Sequence, residues 1–228
     1  MKAPDPLLQF LKKHSALHAE GYTLAVFFGQ LGDFDSFEYA QALTKVVDQL
    51  KASKITLTVA AIGCSEGADR FCFYTGLPRH NLVVLTDNEI HRCCGLYEGL
   101  NVGFGPWPDL FLMCAGIGSP GTLKEVIRGY VGDRTADQRL ENPMFAFAGG
   151  DGFLRPFELA SVRLLNMIEV LSHWKIYVSD ERWLCQRGAT FICSGNGDLI
   201  YKHYDVGILG FSETMNRPLQ FLEPFLKN

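Results

Sequence analysis

The sequence predicts an α/β fold in which a mostly parallel sheet opens the chain and an antiparallel hairpin closes it. Three observations carry this. Apolar, β-branched runs at 22–28, 55–62 and 81–85 each lead into a helix-patterned stretch, an alternation that builds parallel strand pairs with helices on the sheet's faces. The period then changes to two on either side of Ser194-Gly195-Asn196-Gly197-Asp198, a hairpin signal. Finally, 47% of the 228 residues are apolar, and no repeat, low-complexity stretch or linker divides them, so residues 1–228 are expected to share one domain.

Each element has its own warrant. Leu7, Phe10, Leu11 and Leu17 give residues 7–18 the spacing of a short amphipathic helix. Tyr22 to Phe28, bounded by Gly21 and Gly29, reads as a buried strand. The loop through Gly32 and Asp33 leads to a helix for which Asp35 is the expected N-cap, with Glu38 completing a capping-box pattern. Phe37, Ala40, Leu43, Val47 and Leu50 supply its stripe. Ile55–Ile62 is the second strand, Glu66–Tyr74 a helix closed by Gly76, Asn81–Leu85 the third strand, and Glu89–Cys94 a short helix ending near Gly95.

Residues 97–151 are rich in Gly, Pro and aromatic residues and read as an irregular insertion, with one helix at Thr122–Tyr130. A longer helix follows at Phe157–Trp174, with Leu164, Leu165, Ile168 and Leu171 expected to face inward. Ala189–Cys193 and Leu199–Tyr204 are the hairpin strands. A last helix is expected over Glu213–Leu226, broken or kinked by Pro218 and Pro224.

Composition excludes several classes of function. A formal charge of −4 gives no electrostatic reason to expect a nucleic-acid partner. No window approaches the roughly 20 apolar residues that a membrane-spanning helix requires. The N-terminus lacks the pattern of a secretory signal or transit peptide, which suggests a cytoplasm-like, reducing compartment. The cysteine count is seven, an odd number, and no Cys-x-x-Cys occurs, so most thiols are expected to be small buried hydrophobes.

Three β/α units, a hairpin and a terminal helix, with an insertion before the hairpin, is the thioredoxin order. Strand 22–28, its loop and the helix from 36 resemble the AhpC/TSA-type peroxiredoxin-like family. That family's loop typically reads Gly-Cys-x-x-Cys-x-Glu-x-Ala, where this chain has Gly32-Asp33-Phe34-Asp35-Ser36-Phe37-Glu38-Tyr39-Ala40. The flanks match, while the two cysteines fall on Asp33 and Ser36. The stretches Arg155–Ala160, with Asn166, Met167 and Glu169, and Tyr204–Glu213 also resemble a branch of the family found in oxygenic phototrophs. The resemblance runs from about Gly21 to Glu213. It implies a thioredoxin-like fold, a plastid-stroma-like alternative to the cytoplasm, and an association with photosynthetic membranes.

The departure at the loop has chemical weight. A redox cysteine acts as a thiolate, favoured by the N-terminus of the helix it begins. Ser36 cannot climb the oxidation ladder, and Asp33 and Asp35 make that helix start negative. These three residues therefore read first as a capping arrangement and a degenerate active-site loop. The unconventional thiols that could replace the lost pair are Cys64, just after the second strand at the sheet's carboxyl edge, and Cys93, which follows His91 and Arg92.

Other motifs carry less. Gly116-Ile117-Gly118-Ser119-Pro120-Gly121 matches GxGxxG, but it lies mid-chain behind a run that could be helical, so a turn into a helix competes with an anion site. His14 and His18 share a helix face without a third ligand, and His91 with Cys93 and Cys94 is similarly incomplete; no metal and no cofactor are expected. Arg155, beside Pro156, is a candidate to pair with Glu158 or the Asp33–Asp35 loop, or to bind an anion. Trp107, within Gly103–Pro108, is the candidate docking residue for a protein partner, unless that segment folds onto the core. Two functions follow. One is a non-catalytic binding or scaffold protein; the other is a thiol-dependent antioxidant enzyme working through Cys64 or Cys93. The oligomeric state stays open.

Overall fold

The computed structural model describes residues 1–14, 16–18, 20–140 and 156–226. Its helices are α1 (Asp5–Lys13), α2 (Phe34–Thr44), α3 (Val47–Ala52), α4 (Ser65–Thr75), α5 (Glu89–Cys93), α6 (Pro106–Cys114), α7 (Thr122–Val131), α8 (Glu158–Ser172) and α9 (Trp174–Tyr177). Its strands are β1 (Tyr22–Gln30), β2 (Ile55–Ile62), β3 (Leu82–Leu85), β4 (Ala189–Ser194) and β5 (Leu199–Tyr204). They form one mixed sheet in the order β3-β2-β1-β4-β5. β1 runs parallel to β2, with Tyr22 opposite Ile55, and β2 parallel to β3. β4 is antiparallel to both β1 and β5, with Phe27 opposite Ala189. This is a thioredoxin-like α/β fold, and every strand foreseen from the sequence is present.

The central strand is apolar at nearly every position because both of its faces are covered. Alternate side chains point to opposite faces. Leu24, Val26 and Phe28 meet Phe37, Phe71 and Val170 on one side. Ala25 and Phe27 meet Leu7, Phe10 and Phe191 on the other. Helix α4 ends as its sequence suggests: Gly76 takes a left-handed φ of 79° and its N–H returns to the Cys72 carbonyl.

Three expectations need correction. The terminal helix is absent: Pro218 and Pro224 leave turns and a 3-10 turn at Gln220–Leu222, held by the buried Leu222 and by Phe221 stacked on Tyr201 at 4.5 Å. The insertion is less irregular than its Gly and Pro content suggests, because Pro106 and Pro108 sit in the first turn of α6, where a missing N–H costs nothing. In α8, Leu164, Leu165, Ile168 and Leu171 face solvent rather than the core. Helix α7 does the same with Leu123, Val126, Ile127 and Tyr130.

Candidate functional site

In thioredoxin-like folds the segment leaving the first parallel strand enters a helix at the sheet's carboxyl edge, and here that segment is Leu31-Gly32-Asp33 leading into α2. It lies against the chain that approaches β4. A Cβ at Gly29 would strike the Gln186 carbonyl, and one at Gly188 would strike the Phe27 carbonyl and come within 2.7 Å of the Asp205 carboxylate. Glycine at both positions lets Arg187 enter the space between the two segments.

Arg187 is almost wholly buried, with 2% of its surface exposed. Its Nη1 donates to Asp33 Oδ2 at 3.2 Å, its Nε to the Cys185 carbonyl at 3.1 Å and its Nη2 to the Leu184 carbonyl at 3.2 Å. Ser36 Oγ also donates to Asp33 Oδ2, at 3.4 Å. Two further buried carboxyls complete the cluster. Asp35 Oδ2 accepts the Gly210 N–H at 3.3 Å, and Asp205 Oδ1 lies 3.6 Å from His203 Nε2. The space left among Asp33, Asp35, Ser36, Tyr39 and Asp205 is about 10 Å³, the size of about one water molecule.

Three carboxyls share one guanidinium in a low-dielectric setting, so they cannot all ionise. Burial, then the neighbouring charges of Asp33, Asp205 and Glu38, push Asp35 well above the usual carboxylate range. Burial does the same to Asp205 despite the opposing pull of Arg187. Burial lifts Asp33 as well, but less far, because the guanidinium is bonded to it. Asp33 is thus the carboxyl that the guanidinium holds directly, and Asp35 and Asp205 are the two that burial pushes furthest toward the protonated form. Tyr39 sits beside them, bonded to Thr190 Oγ1 at 2.8 Å, with its phenol pushed well up by burial.

The capping reading of this loop is thus replaced by an ion pair. Helix α2 starts at Phe34 with Asp33 at its N-cap position, yet no side-chain cap bond forms, because that carboxylate is taken by Arg187 and Ser36. Asp35 lies one residue inside the helix. Glu38 turns away from the helix start, accepting from Arg163 Nε at 2.7 Å and Arg139 Nη2 at 3.2 Å. Burial favours protonation of Glu38, but the charges of Arg163 and Arg139 outweigh it and hold the carboxyl below its ordinary value.

The candidate thiols lie apart from one another. Cys64 is half-buried at the N-cap of α4, its Sγ accepting the Gly67 N–H at 3.4 Å and facing the Ile176 carbonyl at 3.5 Å. Cys93 is exposed at the end of α5. Cys72, Cys94, Cys185 and Cys193 are buried, which pushes each thiol up to about 11. Cys114 departs from the general expectation of buried thiols: it is exposed at the end of α6, within electrostatic reach of Arg187 and Asp33, and its thiol is still raised by partial burial.

Trp107 sits in the first turn of α6, stacked on Trp174 at 5.1 Å and donating its indole N–H to Glu181 Oε2 at 2.9 Å, with 37% of its surface exposed. Arg155 lies outside the described residues. The Gly116–Gly121 segment is a turn between helices α6 and α7, without the preceding strand that a dinucleotide site needs. Its Ser119 and Thr122 hydroxyls both receive the Ile208 N–H.

Sequence reasoning overlooked Arg187, Asp205 and the Glu38–Arg163 pair. A signal did exist for the first two, since each is a charged residue next to a glycine or an apolar strand at the sheet's edge. Nothing local in the sequence marks Glu38 and Arg163 as partners 125 positions apart.

Fold and site together define a thioredoxin-fold protein of the peroxiredoxin-like class whose loop after β1 holds a buried ion pair. Residues 42–207 match the family described as AhpC/TSA antioxidant enzyme, and the chain belongs to that family. No curated protein and no solved structure matches the chain.

Proposed function

We propose that this AhpC/TSA-family chain is a non-catalytic binding or scaffold protein working in a reducing compartment. The observation that supports this reading is the Asp33–Arg187 pair, which occupies the loop where the resemblance in sequence expects a cysteine and leaves space for about one water molecule. A peroxidatic step needs a thiolate to attack a peroxide oxygen. The O–O bond then breaks, the sulfur is left as sulfenic acid, and water or an alcohol departs. Neither carboxylate nor hydroxyl at this loop can take that role. Seven free thiols suit a reducing compartment, and Trp107 and Phe111 offer aromatic surface to a protein partner.

One observation favours a second reading, a thiol-dependent peroxidase using Cys64. Its half-buried sulfur caps an 11-residue helix at the carboxyl edge of the sheet, where α/β folds tend to place their sites. Peroxide consumption by the purified chain, supplied with a thioredoxin or glutathione reducing system, separates the two. The scaffold reading expects no turnover and no change in any cysteine by mass spectrometry. Turnover accompanied by Cys64 sulfenic acid, abolished in Cys64→Ser, would overturn it.

A further inference from the structure

Helices α7 and α8 are built inside out. Most of their charged side chains point toward the body of the protein and most of their apolar ones toward solvent, with Leu159 and Val170 of α8 the buried apolar exceptions. Arg163 on α8 bonds inward to Glu38 Oε2 at 2.7 Å and to the Glu125 carbonyl at 2.9 Å. Arg128 on α7 reaches Glu125 Oε2 at 2.7 Å and the Met215 carbonyl at 3.1 Å. Asn166 exchanges hydrogen bonds with Gln41, and Glu169 binds Arg70 at 2.7 Å. On the outer side, α8 carries the stripe Leu164, Ile168, Leu171, and α7 carries Leu123, Ile127, Tyr130; each of these residues is at least half exposed. Both have the i, i+4, i+7 spacing that ordinarily marks a core-facing surface.

The two helices pack together, with Gly129 against Ala160, so the stripes border one surface. Between them runs an apolar cleft of about 420 Å³, lined by Val126, Tyr130, Phe157, Leu164 and Met167. Phe157 enters α8 in the left-handed region, at φ 66°, a costly conformation for a bulky residue, and its exposed ring stands edge-on to Tyr130.

We infer that this α7–α8 face is the interface with a second copy of the chain, paired about a two-fold axis so that each copy's apolar stripe lies along the other's cleft. Two arguments select this occupant. The face is broad: Leu123, Ile127, Tyr130, Phe157, Leu164, Ile168 and Leu171 are each at least half exposed and border one cleft, the kind of extended apolar surface from which a standard interface draws roughly 800 Å² per partner. The face is also nearly uncharged. Among the described residues of α7 and α8, Lys124 is the one exposed charged side chain. A two-fold interface sets a surface against itself, which suits an uncharged face and penalises a face of one sign. Charge depletion with Leu, Ile, Val and aromatic content is also the composition of homodimer interfaces. An anionic bilayer, by contrast, is held by clusters of basic residues that this face does not supply. The inference stands whether or not the proposed function does.

Sedimentation equilibrium on the full chain over a wide dilution series tests it. The expected species has twice the 25.4 kDa chain mass. Ile127→Asp on α7 and Ile168→Asp on α8 are each expected to weaken association by roughly hundredfold or more, with the circular dichroism spectrum unchanged. Ile200→Asp, a comparably exposed residue on β5, should leave the dimer intact. Hydrogen exchange of the unmodified chain gives a readout free of substitutions: concentrated protein should be protected over 122–131 and 158–172 relative to dilute protein. A chain that stays monomeric, a dimer that survives both substitutions, or an unchanged exchange pattern in those helices would overturn the inference. So would a monomer that sediments with phosphatidylglycerol vesicles, which would assign the face to lipid.

Discussion

Arg187 and Asp33 lie 154 positions apart in sequence and 3.2 Å apart in space, and their contact ties the segment before β4 to the start of α2. The pair is buried, so its two halves are unequal. The guanidinium keeps the carbonyls of Cys185 and Leu184 if Asp33 is neutralised, whereas Asp33 loses its main counter-charge if Arg187 is removed. Arg187→Met should therefore cost about 3–5 kcal/mol in urea denaturation, and Asp33→Asn distinctly less. Equal losses would show that the pair contributes through shape alone.

Asp205 makes a pH prediction. Its folded pKa is raised well above the unfolded value by burial, so the folded state binds the extra proton. The stability this provides is complete below the unfolded carboxylate pKa and is lost as pH rises through the folded one. Asp205→Asn mimics the protonated form and should flatten that decline. Denaturation midpoints measured in mildly acidic and mildly alkaline buffer should converge in the variant. A slope unchanged from that of the native chain would place the proton elsewhere.

Glu38 has the opposite sign. Arg163 and Arg139 hold it below its ordinary value, so its contribution is present above the unfolded pKa and disappears as pH falls through the folded one. Glu38→Gln leaves two largely covered guanidinium groups facing a neutral amide. It should destabilise the neutral-pH protein by about 3–5 kcal/mol and make it less sensitive to acid. Thermal unfolding across the acid range reads both effects.

The thiols should label in a fixed order. Exposed Cys93 should react first with a maleimide reagent, and the half-buried Cys64 and the exposed Cys114, whose thiol is pushed up by burial, more slowly. Cys72, Cys94, Cys185 and Cys193, each pushed up to about 11, should label only on unfolding. Peptide mapping after timed quenching would reveal any of these four reacting early.

The five strands were legible because each is a short β-branched or aromatic run between turn residues, a signal carried by neighbours in sequence. The orientation of α7 and α8 was not. An amphipathic stripe reports that one face is apolar and says nothing of what covers it, so Leu164 and Ile168 read as core when the polar face of the same helix had claimed Glu38. The terminal helix failed for a simpler reason: apolar spacing over 213–226 was outweighed by two prolines. The Asp33–Ser36 loop stood out in the sequence because Asp33 and Ser36 stand where the resemblance expects cysteines. Its partner Arg187 depends on chain folding back across most of the sequence.

That folding back has a temporal side. β1 finds β2 within a few dozen residues, but its other neighbour, β4, begins only at Ala189. At about 5–20 residues per second, a ribosome needs on the order of 8 to 30 seconds to travel from Gln30 to Ala189. Throughout that interval one edge of the sheet's central strand waits without its ladder partner, open to pairing with a neighbouring nascent chain. A strand that comes early in the chain and pairs at the centre of the sheet must close long loops before its ladder is complete, the arrangement that slows folding.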